Sequence, residues 1–317
     1  ATVPRPSAGR SSMRTNCCTS TDRAWFVLHG PVAFLAVLAL LLGAASSSFA
    51  ADEVRFVRLS AGKAVVSLRE DFARGGPPTT VWLHLHGAIA TVEQQFARIG
   101  APGVLVTLTL PGLSKVYADH FADERVFAEL LRTVKDVVRA QAGGAGWEPG
   151  ELTVSSFSAG FGGVRQLLRQ PEAVERIATL VMADSIYCGY AGPIAERRVD
   201  PELMAGFTRY ARLAAEGKRR MVVTHSAQVP EGYASTTETA DFLIAAVGGR
   251  RGPEVGVWED GLAATGRFAQ GGLEVVGFAG VEAKDHLQHL RSLGVFLARA
   301  KSAPAVFNHG DTEARRR

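Results

Sequence analysis

Glu151-Leu-Thr-Val-Ser-Ser-Phe-Ser-Ala-Gly-Phe-Gly-Gly163 is a strand-like alternating run that breaks into Ser-Phe-Ser-Ala-Gly and then continues into a helix-like run, Val164 to Arg169. A small-x-Ser-x-Gly turn between strand and helix lifts a hydroxyl out of the backbone, and the helix N-terminus behind it favours developing negative charge. Ser158 is therefore the candidate nucleophile. Ser156 stands where this turn ordinarily carries its first glycine, so a Cβ must fit beside the nucleophile. The plainer alternative is a Gly-rich turn merely lined by Ser155, Ser156 and Ser158.

Outward from this turn, short apolar runs alternate with amphipathic ones. Strands are expected at 54–59, 63–68, 81–86, 103–110, 152–156, 177–182, 221–224 and 273–278, the first two as an antiparallel start. Helices are expected at 92–99, 125–142, 164–168, 201–216, 236–247 and 286–300. This pattern predicts an α/β fold with a doubly wound, mostly parallel eight-stranded sheet. The turn-rich stretch 185–200 is the one lid candidate, too short for a cap domain.

Arg14 and Arg23 precede the apolar run Pro31 to Ala45, which ends in Ser46-Ser-Ser-Phe-Ala50. That order is the order of a secretory signal peptide, so residues 1–50 are expected to be leader and signal, with Ala51 or Asp52 starting the mature chain. An uncleaved anchor is the alternative, although 15 residues fall short of the roughly 20 that span a bilayer. Removing 1–50 takes away four arginines and Asp22, which lowers the formal net charge from +4 to +1. Nucleic-acid binding then has no electrostatic footing. Residues 51–303 are expected to form one domain and 304–317, ending Arg315-Arg-Arg317, a solvated tail. Cys188 is alone once Cys17 and Cys18 leave with the leader, which excludes an intramolecular disulfide.

On this layout residues 54–300 resemble the α/β-hydrolase superfamily. The Ser-Phe-Ser-Ala-Gly turn follows the fifth expected strand, His86-Gly87 follows the third, and His286 follows the eighth. The resemblance implies that Ser158 attacks, His286 accepts its proton, and a carboxylate orients the histidine. His289, one helical turn further on, is the rival base. The loop after the seventh strand offers no carboxylate until Glu231, so Asp184, at the end of the sixth, is preferred as the acid. Oxyanion donors are expected to be the backbone N–H groups of Ala159 and Ala88, with Gly87 as alternate. Phe161, Tyr187, Tyr190 and His225 are candidate pocket residues, with His225 and Ser226 at the cleft rim or bracing the acid loop.

The implied function is a secreted or periplasmic serine hydrolase that cleaves small or polymeric carboxylic esters through an acyl-enzyme, with no cofactor and no metal. An amidase using the same triad, or an inactive binding protein of the same fold, are the alternatives. His84-x-His86 has the spacing of a metal pair but lacks the further ligands of known zinc motifs. Gly160-Phe-Gly162 fails as a dinucleotide fingerprint because Arg165 stands where the third glycine would be.

Overall fold

The computed structural model describes residues 54–302 except 71, 73–78, 101–102, 142–146 and 259. The expected signal peptide and C-terminal tail lie outside these residues. In chain order the elements are β1 (Phe56–Ala61), β2 (Ala64–Arg69), β3 (Thr79–Leu85), α1 (Ile89–Arg98), β4 (Gly103–Leu108), α2 (Ser114–His120), α3 (Glu124–Gln141) and β5 (Pro149–Phe157). Next come α4 (Phe161–Leu167), α5 (Pro171–Arg176), β6 (Ile177–Ala183), α6 (Pro201–Ala215), β7 (Arg220–His225) and α7 (Thr236–Ala246). The chain closes with β8 (Gly252–Val257), β9 (Ala263–Gln270), β10 (Leu273–Phe278), α8 (Ala283–Arg291) and α9 (Leu293–Ser302).

All ten strands join one sheet in the order β1-β2-β4-β3-β5-β6-β7-β10-β9-β8. From β4 to β10 the neighbours are parallel, while β1, β2, β9 and β8 pair antiparallel at the two ends. The expected eight-stranded sheet is thus corrected to ten. The run 273–278 still occupies the eighth place across the sheet, because β8 and β9 are added outside it. Those two strands escaped the sequence pattern for a physical reason: Gly252-Pro-Glu-Val-Gly-Val257 and Ala263-Ala-Thr-Gly-Arg-Phe-Ala-Gln270 lack β-branched alternation. Pro253 is tolerated because β8 is an edge strand.

Side chains alternate between two apolar layers. On β6, Leu180 and Met182 enter one core with helices α2 to α7, while Val181 and Ala183 face the other with α1, α8 and α9. Burying each such side chain contributes roughly 1.5–3 kcal/mol, and because both faces are covered the central strands read as continuous apolar runs. The expected single helix 286–300 is two helices with a break at Ser292. Two short helices, α2 and α5, were not foreseen; α5 opens on Pro171, whose fixed φ suits a first helical position.

The antiparallel end is fastened to α1 by one buried carboxylate. Glu93 accepts from Arg58 Nε on β1 at 2.8 Å and from Ser67 Oγ on β2 at 2.6 Å. Burial opposes ionisation of Glu93, but hydrogen bonds from Arg58 and Ser67 and the charge of Arg58 hold its pKa below the ordinary value. Glu93→Gln should therefore cost about 1–3 kcal/mol near neutrality. In thermal melts, that gap should narrow as pH falls below the ordinary glutamate range, where the wild-type carboxylate also becomes neutral.

Candidate active site

Ser158 and Asp184 follow the carboxyl ends of adjacent parallel strands, and His286 follows β10. β5 ends at Phe157, and Ser158 takes a left-handed φ of 47° before the chain enters a short turn and then α4. A non-glycine residue holds that conformation at a cost of order 1–3 kcal/mol, so the surroundings must enforce it. Two do. Gly160 lies so close to β3 that an added Cβ would stand 2.2 Å from the Leu85 carbonyl oxygen. Ser185 Oγ donates to the Ser158 carbonyl at 2.9 Å and lies 2.7 Å from the buried Ser156 Oγ. The hydroxyl at the atypical position is thus the far end of a chain, Ser156 to Ser185 to the Ser158 carbonyl.

Asp184 follows β6 with a left-handed φ of 46° and is fully buried. Its Oδ2 lies 2.7 Å from His286 Nδ1, and its Oδ1 accepts from the Ser226 backbone N–H at 3.0 Å and from Thr236 Oγ1. Burial by itself would raise the Asp184 pKa. The positive charge available on His289 and His286, with hydrogen bonds from His286 and Thr236, instead holds it well below the carboxylate range. The acid is therefore ionised throughout neutral pH. Because Nδ1–H of His286 donates to it, the neutral imidazole keeps its lone pair on Nε2, which has no partner among the described residues. The ring stacks on Phe157, the residue before Ser158, with centroids 4.5 Å apart.

The helix expected from residue 286 starts earlier, at Ala283, so His286 lies in the first turn of α8. Asp285 Oδ2 caps that turn by accepting the Glu282 N–H at 2.9 Å. Gly280, at φ 113°, is needed there because a Cβ would meet Asp285 Cγ at 2.5 Å. The rival base His289 is buried among Phe278 and Phe296, and its Nδ1 is 2.9 Å from Thr224 Oγ1. Burial depresses its pKa to about 4. Glu231, the rival acid, is exposed, and no hydrogen bond links it to a histidine among the described residues.

Ala88 immediately precedes α1, and Ala159 belongs to the first turn after Ser158. Backbone donors at such starts have no acceptor within their own helix. The turn before Ala88 is tied three ways. His86 N–H donates to the Leu108 carbonyl, His84 Nε2 lies 2.8 Å from the His86 carbonyl, and Thr109 Oγ1 donates to the Gly87 carbonyl. His84 Nδ1 is 2.8 Å from Ser155 Oγ, so both nitrogens of this supposed metal ligand are engaged. Burial holds its pKa near about 3, a neutral brace. Among the described residues no group of three or more His, Cys, Asp or Glu side chains is arranged to hold a metal ion.

The pocket candidates divide. Phe161 and Tyr187 pack together with centroids 5.5 Å apart. Tyr190 lies elsewhere, its hydroxyl on Glu238, which also binds Arg197. His225 is buried rather than at the rim: its ring fills the space beside Gly277, and its Nδ1 is 3.0 Å from both Ser226 O and Thr237 Oγ1. Ser226 braces the acid through its backbone. The stretch 185–200 is pinned by bridges Cys188 to Ala234 and Tyr190 to Val199, and by Arg165 Nη2 on the Tyr187 carbonyl, so it is a fastened loop rather than a lid. Thr236, Ser185 and His84 escaped the sequence reading as supports. Only Thr236, beside the Ser235 cap of α7, left a signal there.

No family model matches the chain, and no curated protein sequence matches it significantly. Among solved structures it is similar to a thermophilic esterase from the planctomycete Thermogutta terrifontis, at 14% identity over 80% of this chain and 94% of that one, TM-score 0.44. It is also similar to a glucuronoyl esterase from Solibacter usitatus (13% identity, 81% and 88% covered, TM-score 0.39). A haloalkane dehalogenase loop variant from Bradyrhizobium elkanii matches at 11% identity, 78% and 96% covered, TM-score 0.39.

Gly160→Ala should destabilise the protein by about 1–3 kcal/mol, because the clash is with backbone. Gly189→Ala, whose Cβ would make only an ordinary 3.4 Å contact with Leu203, is the matched control and should melt within a degree or two of the parent.

Proposed function

We propose that this chain is a serine hydrolase of α/β-hydrolase type that cleaves carboxylic esters through an acyl-enzyme on Ser158. The observation that carries the reading is the 2.7 Å pairing of His286 Nδ1 with the buried, ionised Asp184, beside a serine held in left-handed conformation. An unassisted serine hydroxyl is a poor nucleophile, and a neutral imidazole oriented from behind is what activates it.

In the proposed cycle Ser158 Oγ attacks the ester carbonyl carbon while its proton passes to His286 Nε2. The N–H groups of Ala159 and Ala88 receive the negative oxygen of the tetrahedral adduct; such a donor contributes about 10²–10³ in rate. Collapse breaks the bond to the alcohol oxygen, which takes the proton from His286. Water, deprotonated by the same Nε2, then attacks the acyl carbon, and a second collapse returns the proton to Ser158 and frees the acid. Asp184 stays ionised throughout, so its own titration adds no limb to the pH profile near neutrality.

Ser158→Ala should fold normally, lose nearly all esterase activity and resist a serine-directed fluorophosphonate, whereas Ser156→Ala should keep much of its activity. Labelling at Ser156 instead would overturn the assignment. Asp184→Asn should lower kcat by a factor on the order of 10³–10⁴ with little change in substrate affinity, since its contribution grows only as the imidazolium forms. Glu231→Gln should be nearly silent. We further propose export through residues 1–50, for which N-terminal sequencing of the exported protein should read Ala51 or Asp52; an intact chain in the membrane fraction would point to an anchor.

A further inference from the structure

Phe161 begins α4 three residues after the nucleophile, Tyr187 stands three residues after the acid, and Tyr233 belongs to the loop between β7 and α7. Their rings meet in sequence: Phe161 and Tyr187 at 5.5 Å and 57°, Tyr187 and Tyr233 at 5.6 Å and 76°. Phe161 is nearly buried and is backed by Arg165, whose guanidinium carbon lies 4.9 Å from its centroid. Tyr187 and Tyr233 keep partial solvent access. Burial nonetheless raises both phenols above their ordinary pKa, and the Asp184 charge adds to the rise at Tyr187. Rings that meet in sequence and keep partial access line a recess, and the positions of Phe161 and Tyr187, each three residues after Ser158 or Asp184, set it at the same strand ends as the candidate triad.

The backbone holds this wall in shape. Ala234 N–H donates to the Cys188 carbonyl at 2.8 Å, which fixes the residues directly after Tyr233 and Tyr187 against each other. Arg165 clamps the Tyr187 carbonyl from the other side. Neither phenol hydroxyl has a hydrogen-bond partner among the described residues. Being partly exposed, they are open to hydrogen bonding from the solvent side.

Resting on the serine-hydrolase reading, we propose that Phe161, Tyr187 and Tyr233 form a specificity recess for a ring-bearing ester whose aryl group carries a hydroxyl. Mutually inclined rings offer edge-to-face contact to a planar guest, and the two phenols offer hydrogen bonds to its oxygen. A flexible alkyl chain of equal reach would use neither and would lose rotamer freedom on binding.

The test compares kcat/KM for methyl 3-(4-hydroxyphenyl)propanoate, methyl 3-phenylpropanoate and methyl heptanoate. The wild type should prefer the first to the last by about thirtyfold, the phenyl ester lying between, because ring pairs and one neutral hydrogen bond each add on the order of 1 kcal/mol. Tyr233→Leu should collapse the aryl-to-alkyl ratio toward one, and Tyr233→Phe should restore the phenyl preference without the hydroxyl increment. An unchanged ratio in Tyr233→Leu, or a wild type that prefers heptanoate, overturns the recess while leaving the hydrolase reading intact. Should no ester be turned over, calorimetric titration of Ser158→Ala with the same three esters decides: the recess requires the hydroxyphenyl ester to bind tightest, and equal or absent binding refutes it.

Discussion

A carboxylate with no access to water organises the molecule around it. Asp184 ionised and buried would be ruinous without partners, since an isolated charge in the interior carries a desolvation cost of several kcal/mol. Three separate elements meet that need: the backbone after β7 through Ser226, the first residue of α7 through Thr236, and α8 through His286. Each must be in place for the others to be tolerable, so Asp184 registers the strands beside it against α7 and α8 and fixes the His286 ring. The left-handed backbone at Asp184 belongs to the same arrangement, because its N–H is already spent on the Thr224 carbonyl.

The nucleophile turn obeys a different economy of space. Gly160 is dictated by the Leu85 carbonyl, whereas two residues before Ser158 there is room for a Cβ, and Ser156 uses it. Its hydroxyl reaches the nucleophile's own carbonyl only through Ser185, the neighbour of the acid. The loops after β5 and β6 are therefore joined by side-chain oxygens as well as by the sheet. The serine at the expected glycine is thus accommodated by Ser185 nearby, a contact visible only once β5 and β6 are paired.

Much of this was legible in the sequence because strand endings are strongly marked. Apolar β-branched runs expected at 81–86, 152–156, 177–182 and 273–278 set His86, Ser158, Asp184 and His286 at or after strand ends on one edge. What was not legible has two causes. β8 and β9 are partly exposed, Gly- and Ala-containing strands, whose pairing depends on their neighbours rather than on their own residues. The supports His84, Ser185, Thr236 and Tyr233 act through contacts distant in sequence, where a lone His or Thr gives no periodic signal. His225 misled for a related reason: strand counting brought it to the active-site edge, but not to which side its ring would turn.

Among the described residues, five histidines, His84, His86, His120, His225 and His289, resist taking up protons. Burial is the leading cause in each, lowering the pKa to about 3 for His84 and to about 4 for His86 and His289, with His120 and His225 also lowered. An unfolded chain would bind protons at these sites from near pH 6.5 downward, while the native state refuses them. Linkage then tilts the folding equilibrium against the native form as acidity rises below about pH 6.5, because the unfolded chain takes up protons that the native state does not. The buried imidazoles that hold the machinery still thus set an acid boundary to the environment in which the fold persists.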